Sequence, residues 1–282
     1  MLLKRPLNSD APRNDMTCSA IVFLSTRKGT KMYRTQLGIF AVVCLCASAL
    51  AQVPETGRWQ ELAFTEDALQ QHTAVQYKQV LQDLTGTHQI DDDDAITERV
   101  QRVAATILHA AAILEPKVKD WRWELHTSSA PDIDAYCMAG GKMIVGSQFV
   151  RRLELNDGEL AALIGHEVAH AIAQHHRETL SEARLIYPQP ASTLEIVMER
   201  LDLELPLQIQ LGNLSSIQET EADQIGMTLA HLAGWSSVDF VSFYKKLQAT
   251  ALPQSLPRSH PSPASRVSMA EGMALLLALS RY

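Results

Sequence analysis

The chain has 282 residues, 46% hydrophobic and 20% charged, with a net charge of −7. This is ordinary globular composition, enough for one or two domains, and no internal repeat or long low-complexity tract interrupts it. The acidic balance and the lack of a basic stripe argue against a nucleic-acid partner.

The N-terminus reads as a targeting segment. Lys31 and Arg34 precede the apolar run Leu37 to Cys46, and Ala49-Leu50-Ala51 follows as an A-x-A cleavage site. The pattern predicts an N-terminal extension over 1–31 and a secretory signal peptide over 32–51, with Gln52 as the first mature residue. The apolar run is short for a membrane-spanning helix. The expected location is therefore exported and periplasmic, with an uncleaved inner-membrane anchor as the alternative. Val43 and Leu45 precede Cys44 and Cys46, where a lipoprotein needs a small residue. Removal of residues 1–51, with seven Lys/Arg and two Asp, changes the net charge to −12 and leaves Cys137 as the single cysteine. An exported chain with one cysteine has no internal disulfide, so a core or a metal must stabilise it.

In chain order, apolar spacing predicts a helix over 59–84, ended by Gly86, and a second over 93–114, stopped by Pro116. The acidic run Asp91–Asp94 reads as a solvated turn or as the charged start of that second helix. Trp121 to His126 alternates like a strand, and Lys142 to Val145 forms another, entered through Gly140-Gly141. Asn156 or Asp157 caps a long helix expected from Glu159 to Ala183. Residues 187–212, broken by Pro188, Pro190 and Pro206, hold a short helix near 192–203, and their position suggests a lid. Further helices are expected over 215–231, 237–249 and 264–280, with a proline-marked loop between the last two. The fold class is α+β, mostly helical, with a small sheet in a domain covering 52–282.

The long helix carries His166-Glu167-Val168-Ala169-His170, the H-E-x-x-H pentapeptide. Residues i and i+4 share a helix face, so both imidazoles can grip one Zn²⁺ with Glu167 beside them as general base. Catalytic zinc takes three protein ligands and one open position. His176 is one candidate for the third, but on a continuous helix it sits about 240° round from His170. Position 173 is Ala, where the longer H-E-x-x-H-x-x-G-x-x-H pattern has the glycine that breaks the helix. Glu219 is the stronger candidate, brought from a separate helix to give a His₂Glu set. Asp223, at i+4 from Glu219, can then accept a hydrogen bond from a zinc-bound histidine. Glu221 reads as solvated, His175 and His176 as packing or surface residues, and Cys137 as core.

HEVAH followed by Glu219-Thr220-Glu221-Ala222-Asp223 resembles the zinc metallopeptidases related to the CAAX prenyl endopeptidases and the HtpX-type proteases. Asp134 to Val145 is similar to that family's N-A-x-x-x-P-G-G-x-I-x-V segment, with Asp134 for Asn and Ala139 for Pro. Ser259-His260-Pro261 and Arg266 are similar to its S/T-H-P…R motif. The resemblance covers about residues 60–280. It implies a zincin-like, gluzincin fold and one Zn²⁺ per chain held by His166, His170 and Glu219. It implies that Glu167 is the base and that His260 lies near the metal, stabilising the oxyanion or occupying the fourth zinc position. It also implies an edge strand over the cleft, on the segment that carries Asp134 and Ala139, with extended peptide pairing along Gly140, Gly141, Lys142, Met143, Ile144 and Val145. Arg266 is expected as a structural ion-pair partner. The implied function is a zinc endopeptidase acting on unfolded or misfolded envelope proteins. The alternative is a latent metal-bound chaperone or scaffold with zinc blocked by His260. Implied partners are unfolded polypeptides and, peripherally, the membrane or outer-membrane assembly machinery.

Overall fold

A computed structural model describes residues 49–186, 192–250 and 263–279. The extension and signal peptide expected over residues 1–48, and the Ser259, His260 and Pro261 motif, lie outside the described residues, as do Pro188 and Pro190.

The described chain opens with a hairpin, β1 (Ala49–Gln52) antiparallel to β2 (Trp59–Leu62). The helix expected from residue 59 instead begins at Glu66. Trp59-Gln60-Glu61-Leu62 alternates out, in, out, in, which suits a strand. Thr65 then accepts from the Ala68 N–H and caps α1 (Glu66–Gly86), whose first turn carries Glu66 and Asp67. Asp93 caps α2 (Asp94–Leu114) through the Ile96 N–H, which gives one residue of the acidic run the capping role. A single 3₁₀ segment, Pro116–Asp120, follows.

Three strands make the second sheet in the order β3-β5-β4, namely β3 (Glu124–Ser128), β4 (Ala135–Met138) and β5 (Lys142–Gly146). β5 pairs parallel with β3 and antiparallel with β4. The expected peptide-binding strand Lys142–Val145 is therefore the central one, with both edges already hydrogen-bonded. It cannot add a further strand, and Gly140 and Gly141 form the left-handed turn that feeds it. The free edge on that side belongs to β4.

After the short α3 (Ser147–Arg152), Asn156 and Glu159 cap each other's backbone in a capping box that starts α4 (Asp157–Ile172). The single long helix expected to Ala183 breaks at Ala173, and Gln174 takes a left-handed φ of 57°. α5 (His175–Ile186) then leaves in a new direction. The break lets Gln60 donate its side-chain N–H to the Ala173 carbonyl at 3.1 Å. α6 (Leu194–Leu203) and α7 (Leu205–Gln210) follow, then α8 (Gly212–Leu232), α9 (Ser237–Thr250) and α10 (Pro263–Leu279).

The main core lies between α2, α4, α8, α9 and one face of the sheet, with Val100, Ile107, Leu160, Ile164, Ile172, Ile225 and Phe240 fully enclosed. Burial of side chains of this size supplies roughly 1.5–3 kcal/mol each. α4 and α8 cross at Gly165 and Gly226. A Cβ on Gly226 would lie 2.7 Å from the His166 nitrogen, so hydrogen is the only side chain this approach admits. The described part of the segment expected as a lid, residues 192–212, packs on α5 through Leu194, Val197 and Leu207 against Leu180 and Ala183.

Candidate active site

α4 brings His166 and His170 to one face, and the crossing helix α8 presents Glu219 to both. His166 Nε2 and His170 Nε2 are 3.1 Å apart, and Glu219 Oε2 and Oε1 lie 3.4 and 3.3 Å from them. These donor atoms all fall within 4.8 Å of one another, and His166 and Glu219 are buried. Tetrahedral ligands at about 2.0–2.1 Å from a zinc ion sit roughly 3.3 Å apart. The observed separations match that spacing, so this residue set fits the ion.

His166 is oriented from behind. Its Nδ1 is 2.8 Å from Asp223 Oδ1. Asp223 also accepts from Tyr244 Oη at 2.7 Å and from the Arg266 fork at 2.6 and 2.8 Å. Arg266 lies over the Tyr244 ring, 4.9 Å from its centroid. Burial opposes ionisation of Asp223, but His166 and Arg266 more than offset it and hold the carboxyl below its usual range. Burial also disfavours the His166 cation, yet Asp223 and Glu219 outweigh it and raise that pKa. For His170, burial dominates and pushes the pKa down to about 4, favouring the neutral imidazole that a metal requires.

Glu167 is half-buried on the wall of a cavity of about 310 Å³. His170, Trp121, Leu69 and the run Tyr136 to Gly140 also line this cavity. The edge strand β4 thus borders the same space as the proposed base. Gly146 donates to the Asp134 carbonyl at 2.7 Å, which sets the alternation of the β4–β5 ladder. Asp134, Tyr136 and Met138 then bond inward to β5, while the backbone groups of Ala135 and Cys137 point to the outer edge. Burial raises the Cys137 thiol, with the Glu167 charge adding to it, so the thiol stays protonated beside the cavity.

Sequence reasoning missed several residues here. Glu221 is buried rather than solvated, held by Arg58 from the hairpin loop through two contacts of 2.8 Å. His175 is buried against His170. Tyr244 and Arg58 carry no motif signal. Arg266 is the ion-pair partner expected of it. His176 is half-buried on α5 and is not among the residues brought together at the metal face.

The model of peptidase family M48 matches residues 95–274. The chain belongs to peptidase family M48. The members of this family are metallopeptidases. The chain is similar to the mitochondrial metalloendopeptidase OMA1 of Arabidopsis thaliana, at 31% identity over 44% of this chain and 26% of that protein. It is also similar to the mitochondrial metalloendopeptidase OMA1 of Schizosaccharomyces pombe, at 26% identity over 69% of this chain and 58% of the relative. A third similarity is to the beta-barrel assembly-enhancing protease of Yersinia pestis, at 25% identity over 50% of this chain and 32% of the relative. The matched stretch therefore spans between about a quarter and three fifths of these relatives.

Proposed function

We propose that the chain is an exported, periplasmic zinc endopeptidase that cleaves unfolded or misfolded envelope proteins. The observation that carries this reading is the convergence of two histidines and a glutamate at tetrahedral spacing, beside a carboxylate that opens onto a sheet edge. His166, His170 and Glu219 would hold one zinc ion, which supplies Lewis acidity to the attacking water and the scissile carbonyl. Glu167 accepts the proton of that water and returns it to the leaving amine. An extended peptide lies along the outer edge of β4, hydrogen-bonded to the backbone of Ala135 and Cys137. Such pairing reads backbone rather than side chains, which suits unfolded substrates. The similarity to a beta-barrel assembly-enhancing protease supports the envelope setting and a peripheral contact with outer-membrane assembly. Among the described residues, no helix is long and apolar enough to cross a membrane.

The test is Glu167→Gln in the purified protein. Zinc content is expected to stay at one ion per chain while hydrolysis of unfolded casein falls by at least ~100-fold, the scale of a lost general base. Undiminished hydrolysis would remove Glu167 from the mechanism. Absence of zinc from the unaltered protein would remove the metallopeptidase reading.

A further inference from the structure

A buried polar chain runs behind His170 and has no part in the hydrolytic steps. His175 Nδ1 lies 3.0 Å from His170 Nδ1. His175 Nε2 is fully enclosed, makes no hydrogen bond among the described residues, and lies 3.4 Å from Glu221 Oε2. Glu221 is fixed from its far side, where Arg58 Nε and Nη2 each reach it at 2.8 Å and Thr56 Oγ1 donates at 2.9 Å. The same guanidinium clasps Glu178 at 2.5 and 2.7 Å. Gln218 Nε2 ties Glu178 to the His175 carbonyl at 2.9 and 3.0 Å.

The helix break creates this chain. On a continuous helix, His175 would sit about 140° round from His170. The left-handed Gln174 swings it back over the ring.

Two facing Nδ1 atoms at this distance share one proton. If His175 holds it, the neutral His170 carries its own proton on Nε2, the atom that faces His166 and Glu219, and no lone pair remains there for a metal. If His170 holds it on Nδ1, Nε2 is bare, and the His175 proton sits on Nε2, on the side of the Glu221 carboxylate. A carboxylate favours an N–H on the atom that faces it over a lone pair, so Glu221 favours this second state, whereas Glu219, 3.3 Å from His170 Nε2, favours the first as long as no metal draws on its oxygens. We propose that Glu221, acting through His175, biases His170 toward the Nδ1–H tautomer that leaves Nε2 open to a divalent metal, with Arg58 clamping the carboxylate. The inference rests on the metallopeptidase reading of His170. It makes His175 and Glu221 positioning residues, the counterpart for His170 of what Asp223 is for His166.

The test measures zinc affinity by competition with a chromophoric chelator, and the His170 tautomer from imidazole ¹⁵N shifts in the zinc-free protein. Glu221→Gln and His175→Phe are each expected to weaken zinc binding about 10–100-fold. Glu221→Gln should also move proton density on His170 from Nδ1 to Nε2. His175→Asn keeps an acceptor oxygen opposite His170 and should recover most of the affinity lost in His175→Phe. If His175→Phe does not fold, Glu221→Gln, which keeps the side-chain shape, carries the comparison with His175→Asn. Folded variants that bind zinc as tightly as the unaltered protein, with the tautomer unmoved, overturn the relay alone. An unaltered protein that takes up no zinc overturns the metal reading, and the relay with it.

Discussion

Asp223 shows how much of the site one carboxylate organises. It is 1% exposed and meets a histidine, a phenol and a guanidinium at once. Replacing it with Asn removes the charge opposite Arg266, whose side chain is itself 11% exposed. Breaking a buried pair by neutralising one partner costs on the order of 3–5 kcal/mol, because the other charge stays buried. Asp223→Asn is therefore expected to lose about 3 kcal/mol in urea unfolding and to weaken zinc binding about 10–100-fold through His166. A loss below about 1 kcal/mol, with zinc affinity intact, would mean that the cluster neither holds the fold nor orients the ligand. The spacing of Glu219 and Asp223 on one helix face made this carboxylate legible in the sequence. Tyr244 was not, because a phenol 21 residues further on carries no pattern that ties it to the site. Glu221 was misread for a related reason. A lone helix has one solvated side, whereas α8 buries Gln218, Glu219, Glu221, Ala222 and Asp223 together.

At the level of elements, the sequence placed α2, α8, α9 and α10 to within a few residues, although α8 has no side-chain cap of the kind that Asp93 gives α2. Periodicity missed β4, whose four residues are all half-buried and show no alternation, and only the family resemblance put an edge strand between Asp134 and Ala139. Periodicity also ran α4 into α5, because the break falls on Ala173-Gln174 and not on the glycine that usually ends a helix in the left-handed region. The crossing of α4 and α8 was equally hidden, although it fixes how far Glu219 stands from the histidines. A methyl on Gly226 would meet the His166 nitrogen at 2.7 Å and the Gly165 carbonyl carbon at 2.8 Å, both backbone atoms that cannot rotate away. Gly226→Ala must therefore push the two helices apart, at a cost of roughly 1–3 kcal/mol for an overpacked contact. The displacement should also lower the zinc content. Gly272→Ala in α10 is the control. Nothing lies within 4 Å of that methyl, and removing a helical glycine stabilises by up to about 1 kcal/mol. Calorimetry should move the two variants in opposite directions, and only Gly226→Ala should lose zinc. Equal behaviour would show that the crossing has slack and does not set the ligand spacing.

For the whole molecule, the informative feature is the hairpin at the start of the described chain. Signal cleavage after Ala51 would cut through β1 and leave only Gln52 of its four residues. The anchors of the hairpin lie elsewhere. Val53 and Leu62 are buried, Gln60 holds the end of α4, Ala63 N–H donates to Ser181 Oγ at 2.9 Å, and Arg58 binds two glutamates. β1 itself is largely exposed, with Leu50 72% accessible. The proposed cleavage thus removes pairing that faces solvent and spares every buried tie. A chain beginning at Gln52 is expected to unfold within about 0.5 kcal/mol of one that keeps residues 49–51, the usual range for surface changes. Arg58→Met leaves Glu178 and Glu221 buried without their cation and should cost on the order of 3–5 kcal/mol. Both are read from urea midpoints, with N-terminal sequencing of the protein recovered from cells to locate the cut. A chain starting at Gln52 that is as unstable as Arg58→Met would mean that β1 is integral to the folded domain. The proposed cleavage after Ala51 would then fail, and the uncleaved N-terminal anchor would become the better reading.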